Sequence, residues 1–150
     1  MKIQVAIDIR SDPRKVWKAI TDINAWQSMI QGIEKIELLN QPKEGLVGLK
    51  WKETRTLFGK SATEIMWITA VKSNKSYTVN AESHGAHYIT ETNIEQMTDG
   101  CRLIQEFQSI PQTLGAKITT FLFGAMLRKN IIKSFESDLA DIKTAIESSS

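Results

Sequence analysis

Cysteine occurs once in the 150 residues, at Cys101, which excludes an internal disulfide and any zinc site built on several cysteines. Histidine is limited to His84 and His87. Charge of one sign is also lacking: 19 basic residues face 17 acidic ones, and the basic residues are scattered. Nucleic-acid binding needs a basic stripe, so no nucleic-acid partner is expected. The longest apolar run, "FLFGAML" at residues 121–127, is far too short to span a bilayer. The opening "MKIQVAIDIR" carries Lys2, Asp8 and Arg10 where a signal peptide would need an apolar core, so a cytoplasmic location is expected. The chain has no GxSxG, no phosphate-cradling glycine loop and no HExxH, so no cofactor or metal is expected either.

What is present suits one domain over residues 1–150, long enough to bury roughly 68–70% of its unfolded surface. In "KIQVAIDI", Ile3, Val5, Ile7 and Ile9 alternate with polar or small neighbours, the pattern of a half-buried strand. The stretch "SDPRKVWKAITDINAWQSM" follows, with two of the four tryptophans. Asp12 before Pro13 is a helix start: a carboxylate for the free amides, and a proline where no amide donor is needed. Val16, Trp17 and Ile20 make one apolar stripe. Asp22 reads as a second cap, before a short helix with Ala25, Trp26, Met29 and Ile30 that ends at Gly32. Trp17 and Trp26 are expected to pack these helices over one end of a sheet.

From Ile33 to Ile110 the period changes to two. Strands are expected near 33–39, 47–57, 61–71, 76–84, 87–97 and 101–110, separated by "NQPKEG", "FGK", "KSNK", "HGAH" and "TDGC". Links this short force antiparallel neighbours. Residues 114–146 then repeat apolar side chains every three or four positions, a helix about 50 Å long, with Gly124 as a point where it could bend and frayed serines at the end. The expected architecture is α+β: a curved antiparallel sheet of about seven strands around a long C-terminal helix.

This order, with Pro13, Val16, Trp17, Thr21-Asp22, Trp26, Gly48, "ETRTLFGKSATE", "ESHGAHY", Asp99-Gly100 and the long last helix, resembles the START-like (SRPBCC) superfamily. That is the helix-grip fold shared with the birch-pollen-allergen family, and the nearest branch looks like the polyketide cyclase/dehydrase-like proteins. The resemblance covers essentially the whole chain. It implies a cavity for an apolar small molecule (lipid, quinone or polyketide-like) between sheet and last helix. It fixes no reaction, since the family holds lipid carriers, quinone binders, cyclases and partner-binding modules.

Hairpin parity identifies the inner face without that resemblance, because a slip of one residue turns every side chain over. A turn at Gly59-Lys60 sets Arg55 opposite Glu64 and Trp51 opposite Ile68; a turn at Phe58-Gly59 changes the partners but not the faces. One face carries Leu49, Trp51, Glu53, Arg55, Leu57, Ala62, Glu64, Met66 and Ile68, and is expected inside. Trp67 and Ile65 fall on the other. Around "HGAH" a pairing of His84 with His87, and around Asp99-Gly100 of Ile94 with Gln105, bring Tyr88, Thr90, Thr92 and Gln105 inside. The same pairing puts Glu82, His84, His87 and Glu91 outside.

The expected ligand contacts are Trp51, Glu53, Arg55, Glu64, Met66, Tyr88, Thr90 and Gln105, with Phe121 from the last helix. Two readings of the charged group stand: Arg55 between carboxylates grips a polar ligand head, or it completes a self-satisfied ion network. Acid–base catalysis has Glu53, Glu64 and His84 as candidates. His84 and His87 could share a metal with Glu82 or Glu91, or His84 could carry protons at the cavity mouth. Ser83 beside His84 is set aside as a nucleophile pair, because neighbours on a strand point apart. The apolar stretch "TTFLFGAMLRK" either covers the cavity mouth and core or makes transient contact with a membrane or protein.

Overall fold

The computed structural model describes residues 1–57 and 59–149. Its elements run β1 (Lys2–Ile9), α1 (Pro13–Thr21), a 3-10 turn (Ile23–Ala25), α2 (Trp26–Met29), β2 (Ile33–Asn40), β3 (Lys50–Leu57), β4 (Lys60–Lys72), β5 (Ser76–Ser83), β6 (Ala86–Met97), β7 (Gly100–Pro111) and α3 (Leu114–Ser148). The strands form one antiparallel sheet in the order β1-β7-β6-β5-β4-β3-β2. Register shifts in the β2–β3 and β4–β5 pairs are bulges, which bend strands and let the sheet curl around α3.

The helix start at Pro13 is built as the residue types demand: Asp12 Oδ1 accepts from the amides of Arg14 (2.9 Å) and Lys15 (3.1 Å). Asp22 differs from expectation. Its side chain makes no cap bond, because the chain there passes straight into the 3-10 turn. The two indoles do cover the sheet: Trp17 meets Tyr77 edge to face at 6.0 Å, and Trp26 meets Trp51 at 5.8 Å. Tyr77 Oη also donates to the Ile20 carbonyl, tying α1 to β5 (3.0 Å).

Three hairpins turn one residue earlier than expected. Leu57 pairs with Lys60, Ser83 with Ala86 and Met97 with Gly100. The first register matches the alternative turn Phe58-Gly59, of which Phe58 lies outside the described residues. In the second, His84 (φ +51°) and Gly85 (φ +74°) are the turn, the positive pair that a two-residue hairpin prefers. In the third the turn is Thr98-Asp99, and Gly100 (φ +137°) opens the strand. A Cβ on Gly100 would stand 2.2 Å from the Ile9 carbonyl oxygen, so the close passage of β1 demands glycine. Each slip changes cross-strand partners by two residues and leaves the faces unchanged.

α3 continues through Gly124 as one helix about 52 Å long. Thr113 Oγ1 caps it by accepting from the Ala116 amide (3.1 Å), and the helix runs to Ser148; Ser150 lies outside the described residues. Its C-terminal half lies on the sheet, with Leu139, Ile142 and Ile146 buried in the core beside Ile9, Val16, Ile20 and Leu103. Its first turns leave Leu114, Ile118, Phe121, Leu122, Phe123 and Met126 exposed, so the stretch read as a cover meets the cavity only through Leu127 among the described residues. No helix among the described residues is long and apolar enough to cross a membrane.

Candidate ligand cavity

Sheet, α2 and α3 enclose a cavity of about 410 Å³. Alternation along β3 and β4 aims Trp51, Glu53, Arg55 and Leu57, then Ala62, Glu64 and Met66, into it. β5, β6 and β7 add Val79, Ala81, Tyr88, Thr90, Gln105 and Phe107. α3 closes the far side with Leu127, Ile131, Ser134, Phe135, Asp138 and Ile142. Tyr88 stacks on Phe107 at 5.8 Å, and Phe107 leans on Phe135 at 5.3 Å, an aromatic row joining sheet to helix. The wall is mostly apolar with a few polar side chains, the usual character of a small-molecule pocket.

Its charges are organised around Arg55. The guanidinium donates from Nε to Glu53 Oε2 (3.1 Å) and from Nη1 to Asp138 Oδ2 (3.0 Å), with Ser134 Oγ at 3.5 Å. Glu53 Oε1 accepts from the Trp51 indole (3.3 Å). Burial opposes the Arg55 charge, yet Asp138 and Glu53 outweigh it and hold its pKa above the usual value. Asp138 is pushed up by burial more than Arg55 pulls it down, with Glu53 and Asp141 adding repulsion. The second carboxylate of this network is Asp138 from the helix, in place of the Glu64 of the two readings. The network also bolts β3 to α3.

A second polar group sits where β4, β5 and the His84-Gly85 turn meet. Ser83 Oγ donates to Glu64 Oε1 (3.3 Å) and lies 2.9 Å from His84 Nδ1. One hydroxyl has one proton, so donation to Glu64 leaves its oxygen to accept from His84. Burial raises the Glu64 pKa; the Ser83 hydrogen bond pulls it down, and Glu53 pushes it up. Burial, then the nearby Glu64, likewise raises Tyr88. A half-buried carboxyl thus connects through a hydroxyl to an exposed imidazole, an arrangement that can hold a ligand oxygen or pass a proton. Glu64 touches the serine and not the imidazole, so this is not the carboxylate–imidazole–hydroxyl order that activates a nucleophile. Trp26 Nε1 and Gln105 Oε1 on the wall are buried with no hydrogen-bond partner among the described residues.

A family model described as "Polyketide cyclase / dehydrase and lipid transport" matches residues 1–147. The chain belongs to this family. No curated protein matches it by sequence. Among solved structures, a START superfamily protein from Mycobacterium smegmatis is 12% identical, with a TM-score of 0.82 and 99% of each chain covered. TTHA0849 from Thermus thermophilus is 14% identical, with a TM-score of 0.84, covering 100% of this chain and 99% of that one. The di-domain ARO/CYC StfQ of the steffimycin biosynthetic pathway is 9% identical, with a TM-score of 0.81; the match covers 98% of this chain and 51% of StfQ. These likenesses share the helix-grip fold expected from the sequence.

Within this polyketide cyclase/dehydrase-like cavity the structure brings together Trp51, Glu53, Arg55, Glu64, Met66, Tyr88, Thr90 and Gln105. Phe121 is the exception. It is 88% exposed on the outer side of α3, and Leu127 is the first helix residue to reach the cavity. Arg55 and Glu64 are not opposite each other, because Glu53 pairs with Glu64 and Arg55 with Ala62. Strand parity puts His84 outside, but it is a turn residue at positive φ and borders the cavity. The same geometry brings Ser83 and His84 into contact, which strand neighbours would not allow. His87 does lie on the outer face, against Glu82 (3.2 Å), Asn80 (2.8 Å) and the Trp67 ring, and so shares no site with His84. Asp138 and Ser134 escape the sequence reading. Their signal is positional: Asp138 lies three residues after Phe135 and four before Ile142, within the buried stripe of α3.

Proposed function

We propose that the chain binds an apolar small molecule of lipid, quinone or polyketide-like character in this cavity, with a polar end towards Glu64 and Tyr88. The observation that carries this is the 410 Å³ space itself, walled by aromatic and aliphatic side chains with a few polar groups, Glu64 and Tyr88 among them. Arg55 is already engaged by two carboxylates, so Glu64 and Tyr88 on the cavity wall are the better match for a ligand oxygen. Native mass spectrometry of protein purified from its own host tests the reading. A retained hydrophobic compound is expected, and Ala81→Phe, which fills the cavity, should abolish it. A parent chain that neither retains nor takes up any hydrophobic compound refutes binding.

The contact of Glu64, Ser83 and His84 favours a second reading, an enzyme of the cyclase/dehydratase kind that moves protons on such a ligand. Glu64→Gln separates the two. A carrier keeps its ligand unchanged, whereas an enzyme keeps the ligand and accumulates it unreacted.

A further inference from the structure

The first turns of α3 carry apolar side chains that the fold leaves outside. Phe121 is 88% exposed, Leu114 74%, Leu122 62% and Ile118 50%. At about 100° per residue these four fall within an arc of about 100°, centred about 150° from the cavity-facing Leu127, Ile131 and Asp138. The helix therefore has two apolar faces, and only one has a partner in the fold. Exposed patches of this kind mark interaction sites.

Two further observations say what the outer face meets. Residues 112–135 contain Lys117, Arg128, Lys129 and Lys133 and no aspartate or glutamate. The strip also starts beside His84, an exposed residue that borders the cavity: the amides of Gln112 (2.7 Å) and Thr113 (3.2 Å) donate to the Gly85 carbonyl next to it. Two copies packed helix on helix would set these cations against each other. An anionic surface would neutralise them while taking up the apolar side chains.

We propose that this outer face of α3 docks on the surface of an anionic lipid bilayer. Phe121 and Leu122 enter the acyl boundary, and Lys117 and Lys129 lie among the headgroups. The docked helix brings the mouth of the cavity against the membrane. The proposal rests on the helix surface alone and holds whatever the cavity contains.

Co-sedimentation of the full chain with vesicles tests it. Strong binding is expected to phosphatidylcholine vesicles containing phosphatidylglycerol, weak binding to phosphatidylcholine alone, and release by salt. Each basic residue at the surface corresponds to about fivefold in partitioning, so Lys117→Gln with Lys129→Gln should lose about 25-fold. Phe121→Asp with Leu122→Ser should lose at least about tenfold. All four side chains are exposed, so melting should not change in either variant. No sedimentation with the anionic vesicles, or sedimentation indifferent to both variants, overturns the proposal. So does a dimer in light scattering that Phe121→Asp converts to monomer, because a second copy would then be the occupant. No ligand enters this assay, so its failure leaves the cavity reading where it stands.

Discussion

Replacing Arg55 by alanine probes the joint between sheet and helix most directly. Arg55 is 17% exposed, and its partners Glu53 and Asp138 are 4% and 17% exposed. Removing one partner of a buried ion pair costs about 3–5 kcal/mol, because the remaining charge is left desolvated and unpaired. The residual exposure places this network near the lower end, about 3 kcal/mol. At about 2–4 °C per kcal/mol for a domain of this size, the melting temperature should fall by about 6–12 °C.

The loss should depend on pH. Asp138 already has a folded-state pKa above its ordinary 3.8, because burial outweighs the pull of Arg55, and losing the guanidinium raises it further. A carboxyl with a raised folded pKa contributes stability that is fully present below its unfolded pKa and lost as pH rises through the folded value. The deficit of Arg55→Ala should therefore be largest at neutral pH and shrink as pH falls towards the aspartate range. Denaturant melts at pH 7 and pH 5 measure it. Glu53→Gln, Arg55→Met and Asp138→Leu together should recover most of the stability, since an apolar replacement of a buried network is often neutral. A loss under about 1 kcal/mol for Arg55→Ala, the value of an exposed pair, would refute the reasoning. So would better rescue by Arg55→Met with Glu64→Leu, which would return the partnership to Glu64.

Two further outcomes are expected. Glu64 should titrate above its ordinary 4.5 in carbon-13 NMR of the side-chain carboxyls, and Ser83→Ala, which removes a hydrogen bond that lowers it, should move the midpoint higher still. A downward move in that variant would mean that the serine does not bond the carboxylate. Gly100→Ala should cost at least about 1–3 kcal/mol from backbone conformation alone, with the contact to Ile9 in addition, and should speed hydrogen exchange along β1. Parent-like melting and exchange would contradict the close passage.

The fold is legible in the sequence because its cues are redundant: period-two strands, punctuated turns and one long period-3.6 helix. The inner face is legible for a narrower reason. The three displaced hairpin turns each move by one residue, which shifts partners by two and preserves parity, so Glu53, Arg55, Glu64 and Tyr88 reach the cavity wall despite wrong partners. Parity fails where a residue leaves the strand, and His84 at positive φ is that case. It says nothing about which helix residue meets which strand, so Asp138 is missed and Glu64 takes its place beside Arg55. Phe121 fails for the opposite reason. Helical periodicity marks an apolar stripe but not what lies against it, and the first turns of α3 keep Phe121 and its neighbours exposed.

The position of β1 bears on how the chain folds as it is made. Strands β2 to β7 can join by local hairpins, but β1 pairs only with β7. Ile9 meets Cys101 across about 90 intervening residues, which adds about 2 kcal/mol of closure entropy relative to a ten-residue loop. Of the seven strands, the one that precedes the others in the chain is therefore the last to find its place. Until residues 100–111 have left the ribosome, Ile3, Val5 and Ile9 have no partner strand to bury them. Non-local pairing of this kind slows folding and exposes apolar segments on the way. Among these strands the one with greatest need of a chaperone during translation is β1, and a ribosome stalled before β7 should hold it accessible to protease.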